Sequence, residues 1–306
     1  MRIPILSARS GWHVDELKLA FAEHGHAAIE LRYEQIVGRY GEHRGMMAGG
    51  IALEECPLVV ARIIPDGTLE QLIVRVDLLH ALEERGVTVV NSAKTIERTV
   101  NKARTTALLE AAGLPTPETV VCETIDDAME AFRRLGDVIL KPLFGSMGLG
   151  MLRLREEEMA WRAFRTVDRI GGVFYLQKTI DHGGSDVRAF VIGDCVLAAI
   201  ERRADGWCTS VARGAKPIAI RLDPQREHLA LAAAKAVDAD YAGVDLIDDR
   251  NGTSYVIEVN GIPGWRGLQE ATGIDVAHAI AAHALEFPSR DLQRAQTGAG
   301  PSKSAP

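Results

Sequence analysis

No apolar run in this 306-residue chain approaches the roughly 18 residues needed to cross a bilayer. The stretch Met1–Ser7 lacks the charged-then-apolar layout of a secretory signal, and Trp12-His13-Val14-Asp15 interrupts any such segment. A cytoplasmic location is therefore the expectation. Cysteine is scarce: Cys56, Cys122, Cys195 and Cys208 stand far apart, with no Cys-x-x-Cys pair. That spacing suits neither a zinc site nor a disulfide framework, so reduced, packed thiols are expected. Positive charge is not in excess either, with 35 Lys and Arg against 42 Asp and Glu and a net charge of −7. This balance argues against a broad nucleic-acid-binding face. Also missing are the Gly-Lys-Ser/Thr of a P-loop, a glycine fingerprint that opens a helix, a convincing Ser/His/Asp triad and any internal repeat.

What is present is an ordinary globular composition, 47% apolar and 25% charged, long enough for one large or two to three small domains. Up to Asn91, short apolar runs at Ile3–Ala8, Ala28–Leu31, Leu58–Ile63 and Val87–Val90 alternate with helical spacing at His13–Gly25 and Leu69–Arg85. Strands alternating with helices predict a small parallel α/β unit. The glycine-rich stretch from Gly38 to Gly50 reads as a loop. Beyond Asn91 the chain turns to mixed α+β patterning: helices at 101–112, 125–135, 156–168, 224–237 and 276–285, and strands at 138–141, 173–178, 187–192, 196–201, 244–248 and 255–259. The expected division is 1–97, 98–180, 181–287 and a disordered tail over 288–306, where Ser, Gln, Gly, Pro and Lys replace periodicity.

Two β-rich runs flank Asn251-Gly252, the strongest short hairpin signal, because both central residues of a type I′ turn need positive φ. A two-residue turn there sets Asp245 directly opposite Glu258 and Gly243 opposite Asn260. Opposed residues share a face, and Asn260 lies two residues beyond Glu258, so all three oxygen-bearing side chains point the same way. The flanking Val244, Leu246, Ile247, Val256, Ile257 and Val259 make the surroundings apolar. Two opposed carboxylates in such a setting repel, and a divalent cation removes the conflict. Two carboxylates and an amide oxygen form a hard donor set that suits Mg²⁺ or Mn²⁺ bridged to phosphates.

Earlier in the chain, the apolar run Val138-Ile139-Leu140 ends on Lys141, a cation that needs an anion partner. A loop with Gly145, Ser146, Gly148 and Gly150 follows, and then a second strand, Met151–Leu154. Strand, glycine loop, strand describes a flap whose backbone N–H groups can approach phosphate oxygens. Lys102, near a helix start, is a second candidate phosphate or adenine contact.

These residues, in this order, resemble the ATP-grasp superfamily and, within it, the RimK-type α-L-glutamate ligases. The carriers are Asn101-Lys102, Val138–Pro142 with the glycine loop, Ser185-Asp186-Val187-Arg188, Ala198–Arg203, Ala242–Asp245, Ile257–Gly264 and Thr272–Asp275. Ser7–His13 resembles the tetrahydromethanopterin glutamate ligase branch. The resemblance implies an ATP-grasp fold: an N-terminal parallel α/β domain followed by two α+β subdomains that clasp ATP. It implies that Lys102 and Lys141 bind the nucleotide under the Gly145–Gly148 flap, that Gln177 and Lys178 meet adenine, and that Asp186 lies near the ribose. Asp245, Glu258 and Asn260 match the ligands of two Mg²⁺ or Mn²⁺ ions. Arg188, Arg202, Arg203 and Arg213 are the candidates for the transferring phosphoryl group and substrate carboxylates. The alternative for Arg202-Arg203 is that one of them simply faces solvent, since consecutive strand residues point to opposite faces.

The implied reaction joins an amino acid, glutamate first, to the carboxylate of a small cofactor or a peptide through an acyl phosphate, in a monomer or a homo-oligomer. Cys208-Thr209-Ser210 departs from the family's Arg-x-Asn, although Arg213-Gly214 is kept, and Leu149 replaces a polar flap residue. The competing readings are a ligase for another amino acid or a carrier-protein acceptor, a phosphotransferase, and an ATP-binding protein without turnover.

Overall fold

A computed structural model describes residues 1–145, 148–209 and 214–297, with backbone alone over 288–297. The chain forms two compact units, one of Met1–Ile96 with Asp275 onward, the other of Glu97–Ile274.

In the first unit, β1 (Arg2–Leu6), β2 (Ala27–Leu31), β6 (Leu58–Ala61) and β7 (Thr88–Val90) pair in parallel in the order β2-β1-β6-β7. Ile3, Ile5, Leu58, Val59 and Val60 are fully buried, as strands covered on both faces require. The crossovers are α1 (Trp12–Glu23) and α2 (Leu69–Glu84). Val14, Leu17, Ala20 and Phe21 form the buried stripe of α1. Helix α2 starts at a capping box in which the Thr68 hydroxyl accepts from Gln71 N–H while the Gln71 side chain accepts from Thr68 N–H.

The Gly38–Gly50 region differs from the loop expected of it. It builds an antiparallel meander of β3 (Ile36–Arg39), β4 (Gly45–Ala48) and β5 (Ile51–Ala52). Its glycines make the turns: Gly49 and Gly50 both have positive φ between the paired Ala48 and Ile51, as a type I′ turn demands. Helix α9 (Val276–Thr297) packs on α1. It belongs to this first unit, whereas the boundary expected from sequence kept it with the preceding residues up to 287. Helical backbone continues through 288–297, where a disordered tail was expected, and 298–306 lie outside the described residues.

The unit boundary falls within α3 (Ala93–Val100), and α4 (Lys102–Ala111) follows. The first layer of the second unit is an antiparallel sheet in the order β10-β9-β11-β8, from β8 (Thr119–Cys122), β9 (Val138–Lys141), β10 (Leu152–Leu154) and β11 (Phe174–Lys178). Helices α5 (Ile125–Leu135) and α6 (Glu157–Arg169) cover one face, where Phe132, Phe164, Phe174, Leu140 and Leu176 form the core. The strand period of two sends Lys141, Tyr175 and Gln177 to the other face.

A five-stranded antiparallel sheet completes this unit in the order β14-β13-β12-β15-β16. It comprises β12 (Ser185–Ile192), β13 (Cys195–Arg203), β14 (Lys216–Ile220), β15 (Tyr241–Asp248) and β16 (Ser254–Asn260). Helix α7 (Pro224–Ala236) packs Leu229, Ala230 and Ala233 on Ala189, Val191, Val244 and Leu246. Strand β14 and the short α8 (Arg266–Thr272) carry no clear period and were not anticipated.

Candidate active site

Asn101 caps α4, its side-chain oxygen accepting from Ala103 and Arg104 N–H, which sets Lys102 at the first helical position. Lys102 Nζ donates to Gly145 O at 2.8 Å and lies 3.4 Å from Glu258 Oε1. Lys102 N–H also donates to Leu143 O. One lysine thus ties the base of the glycine flap to a carboxylate on β16, joining the two parts of the chain that sequence reading singled out. Gly148 and Gly150 have positive φ, and a Cβ on Gly150 would meet Pro142 Cγ at 2.8 Å. Ser146 lies outside the described residues.

Lys141 is buried. Its Nζ donates to Gln177 Oε1 at 2.6 Å, and Gln177 Nε2 donates to the hydroxyls of Thr119 and Tyr175. Tyr175 and Thr106 hydroxyls are 2.7 Å apart. Burial pulls the Lys141 ammonium down to about 8; the Lys102 charge adds to this, while Glu258 and Asp245 oppose it. Tyr175, Thr106 and Thr119 went unnamed in the sequence, although the period of β11 ties Tyr175 to Gln177. Lys178, expected beside adenine with Gln177, is exposed at the end of β11, and strand alternation sends its side chain to the opposite face.

Asp245 does pair with Glu258, and Gly243 with Asn260. The route to that pairing differs from the expected one. The last pair before the turn is Asp248 with Ser254, so five residues, not two, make the loop. Asp249 organises it, its Oδ1 accepting from Asn251 and Thr253 N–H. Ile257 is an additional residue on β16, and this bulge restores the register at Asp245. A Cβ on Gly243 would sit 3.0 Å from Pro263 Cβ, so the position opposite Asn260 has no room for a side chain.

The same sheet face carries a row of charge. Arg188 grips Asp245 bidentately, with both N···O distances 2.7 Å. Arg202 grips Asp186 in the same way and reaches Asp245 at 3.2 Å. The register dictates this, since Asp186 opposes Arg202 and Arg188 opposes Asp245. Asp186, expected near a ribose, forms a buried ion pair with Arg202 and also accepts from the Thr209 hydroxyl. Burial pushes the Asp186 carboxyl up against the pull of Arg202. Burial opposes ionisation of Asp245 too, but the charges of Arg188 and Arg202 outweigh it and hold that carboxyl below its usual range.

Arg203 is set apart from this row. It lies on the other face of β13, largely exposed and paired with Glu201, because consecutive strand residues point oppositely. Arg213 lies outside the described residues.

The donor set at Asp245, Glu258 and Asn260 fits a hard divalent ion. Glu258 is about one-third exposed, and the Asn260 amide uses its Nδ2 on Gly243 O, which leaves Oδ1 to ligate. Arg188 occupies one lone pair on each Asp245 oxygen and Arg202 reaches the second on Oδ1, which leaves one on Oδ2. Among the described residues no group of three His, Cys, Asp or Glu is placed to hold a metal ion.

A flap-bearing layer and a second sheet of this kind define the ATP-grasp fold. It is shared with the ATP-grasp ligase PsnB complexed with minimal precursor, Mg and ADP (TM-score 0.73, 21% identity, covering 94% of this chain and 98% of that one). A RimK domain ATP-grasp protein from Sphaerobacter thermophilus shares it too (TM-score 0.71, 23% identity, 93% and 100%). The RimK-like ATP-grasp domain matches residues 99–284, and the chain belongs to that family. Among its relatives is the tetrahydromethanopterin:alpha-L-glutamate ligase of Methanococcus maripaludis, 31% identical over 94% of this chain and 99% of that protein. A probable alpha-L-glutamate ligase of Legionella pneumophila is 32% identical over 66% and 68%. The protein is accordingly an ATP-grasp ligase that joins a carboxylate to an amine. No helix among the described residues is long and apolar enough to cross a membrane.

Proposed function

We propose that the protein adds L-glutamate to the terminal carboxylate of a small cofactor, using ATP with Mg²⁺ or Mn²⁺, two ions in all. The observation that carries the cofactor reading is the match to the tetrahydromethanopterin ligase, which extends over nearly the whole of both chains and not only the ATP-grasp part.

Lys141 and Lys102 hold the nucleotide phosphates as point charges, with Gly145 O on Lys102 and Gln177 fixing Lys141. Asp245, Glu258 and Asn260 would hold the metal, which would supply neutralisation of the phosphate charge. An acceptor carboxylate oxygen attacks the γ-phosphorus and ADP leaves, giving an acyl phosphate. The glutamate amine then attacks the acyl carbon, phosphate departs, and the nitrogen loses a proton. Phosphoryl transfer of this kind needs positioning and charge neutralisation more than a protein nucleophile. Arg188 is set by Asp245 next to the metal ligands, and it orients the anionic substrate groups.

The test is ADP release with glutamate and pterin-type acceptors supplied together and singly, with mass spectrometry of the products. The proposal expects an amide product heavier by one glutamyl residue, and ADP release that needs both substrates. A stable phosphorylated product without amide would mark a phosphotransferase. ATP binding without turnover on any pair would mark a non-catalytic protein.

A further inference from the structure

A cleft of about 980 Å³ opens beside the flap strand β10, at the end of the β12–β13–β14 ladder, and none of Lys141, Asp245 or Glu258 lines it. Its wall is built from backbone. Gly184 O accepts from Ala204 N–H at 2.9 Å, an approach that requires glycine, since a Cβ there would meet Ala204 O at 2.4 Å. The two ring nitrogens of His182 lie 2.9 Å from Ser185 O and 3.1 Å from Trp207 O, so the imidazole pins the segment that presents Trp207.

Into this cleft β13 and β14 present two cations side by side. Arg203 and Lys216 are directly paired across the ladder, and both are exposed. Like charges so opposed destabilise a sheet unless an anion lies between them. The carboxylate at hand, Glu201, is paired with Arg203 and also accepts from the Ser185 hydroxyl. Lys216 has no partner among the described residues, although Asp205 lies on the rim. Trp207 adds a partly exposed indole beside these charges. A guanidinium, an ammonium and an aromatic face together suit a planar ring carrying carboxylates.

We propose that this cleft is an anchoring site for the distal part of the acceptor, binding a carboxylate-bearing aromatic compound through Arg203, Lys216 and Trp207. Segment 207–209 divides it from the charged row, with Trp207 and Cys208 lining the cleft and Thr209 bonded to Asp186 on the other side. The inference rests on the ligase reading above, and it is tested by binding alone so that the two can fail separately.

The experiment is calorimetric titration of the full chain with folic acid, a probe that joins a planar heteroaromatic ring to a glutamate. Wild type should bind it. Arg203→Gln with Lys216→Gln should weaken binding by about tenfold or more, the loss of roughly one charge-assisted contact. Trp207→Leu should weaken it independently, and nucleotide affinity should stay within about twofold in both. Failure of wild type to bind the probe, or equal binding by the variants, would overturn the cleft assignment whatever the ligase assay gives. Probe binding that the variants lose would uphold it even if no amide product is found.

Discussion

Asp245 stands directly opposite Glu258 across the β15–β16 ladder, and the two carboxylates differ sharply in how the protein treats them. Asp245 is buried and held by two arginines, whereas Glu258 is about one-third exposed and lies near Lys102. The neighbouring groups therefore separate catalytic cost from folding cost.

Glu258→Gln should lower kcat by at least about a hundredfold, as for loss of one charged group that stabilises the transition state, with thermal unfolding nearly unchanged. Asp245→Asn should lose activity too, but it also leaves Arg188 without its anion and Arg202 with Asp186 alone, and should cost about 3 kcal/mol of stability. Denaturant unfolding of both variants beside ADP-release assays checks the contrast. Equal destabilisation of the two would show that the difference in burial does not govern their energetics.

Arg202 and Asp186 form a buried pair reinforced by Thr209. Arg202→Met should destabilise by about 3 kcal/mol, because it strands a buried carboxylate. Thr209→Val should cost about 1 kcal/mol, and Thr209→Ser less, since the serine hydroxyl can still donate. Urea midpoints for the three variants would order them accordingly.

Lys141, at about 8, should make nucleotide binding sensitive to pH just above neutrality. As pH rises through that value the free protein loses a positive charge, so ATP affinity should fall, and Lys141→Met should bind ATP weakly with a flatter profile. The stability effect has the opposite sense. Between about 8 and the ordinary 10.5 the unfolded chain binds more protons than the folded one, so this group's contribution to stability rises with pH across that window and its cost is fully present below it. Unfolding free energies of wild type and Lys141→Met at pH 7 and pH 9.5 would reveal it as a gain by wild type relative to the variant.

The five-residue loop assigns its own weights. Gly252 has φ +83°, whereas Asn251 is not among the residues of positive φ. Gly252→Ala should cost about 1 kcal/mol and Asn251→Ala a few tenths. Asp249→Ala, which loses two backbone acceptor bonds, should cost about 1 kcal/mol with kcat preserved. A two-residue type I′ turn would instead make Asn251 the sensitive position.

The strand period was enough to assign Asp245, Glu258 and Asn260 to one face, because this follows from local backbone geometry. The opposition of Asp245 to Glu258 was legible for an incomplete reason: the longer turn and the Ile257 bulge offset each other, and neither leaves a mark in composition. Tertiary structure alone decided which cation meets which carboxylate. Asp186 and Arg202 come from different strands, as do Arg188 and Asp245, and Thr209 reaches Asp186 from a segment whose sequence suggested only a departure. Alternation predicted that Arg202 and Arg203 would part, but the buried side could be named only once the sheet's neighbours were in place. A local period fixes relative direction along a strand, whereas charge pairing depends on register between strands, which bulges and loop lengths set at a distance.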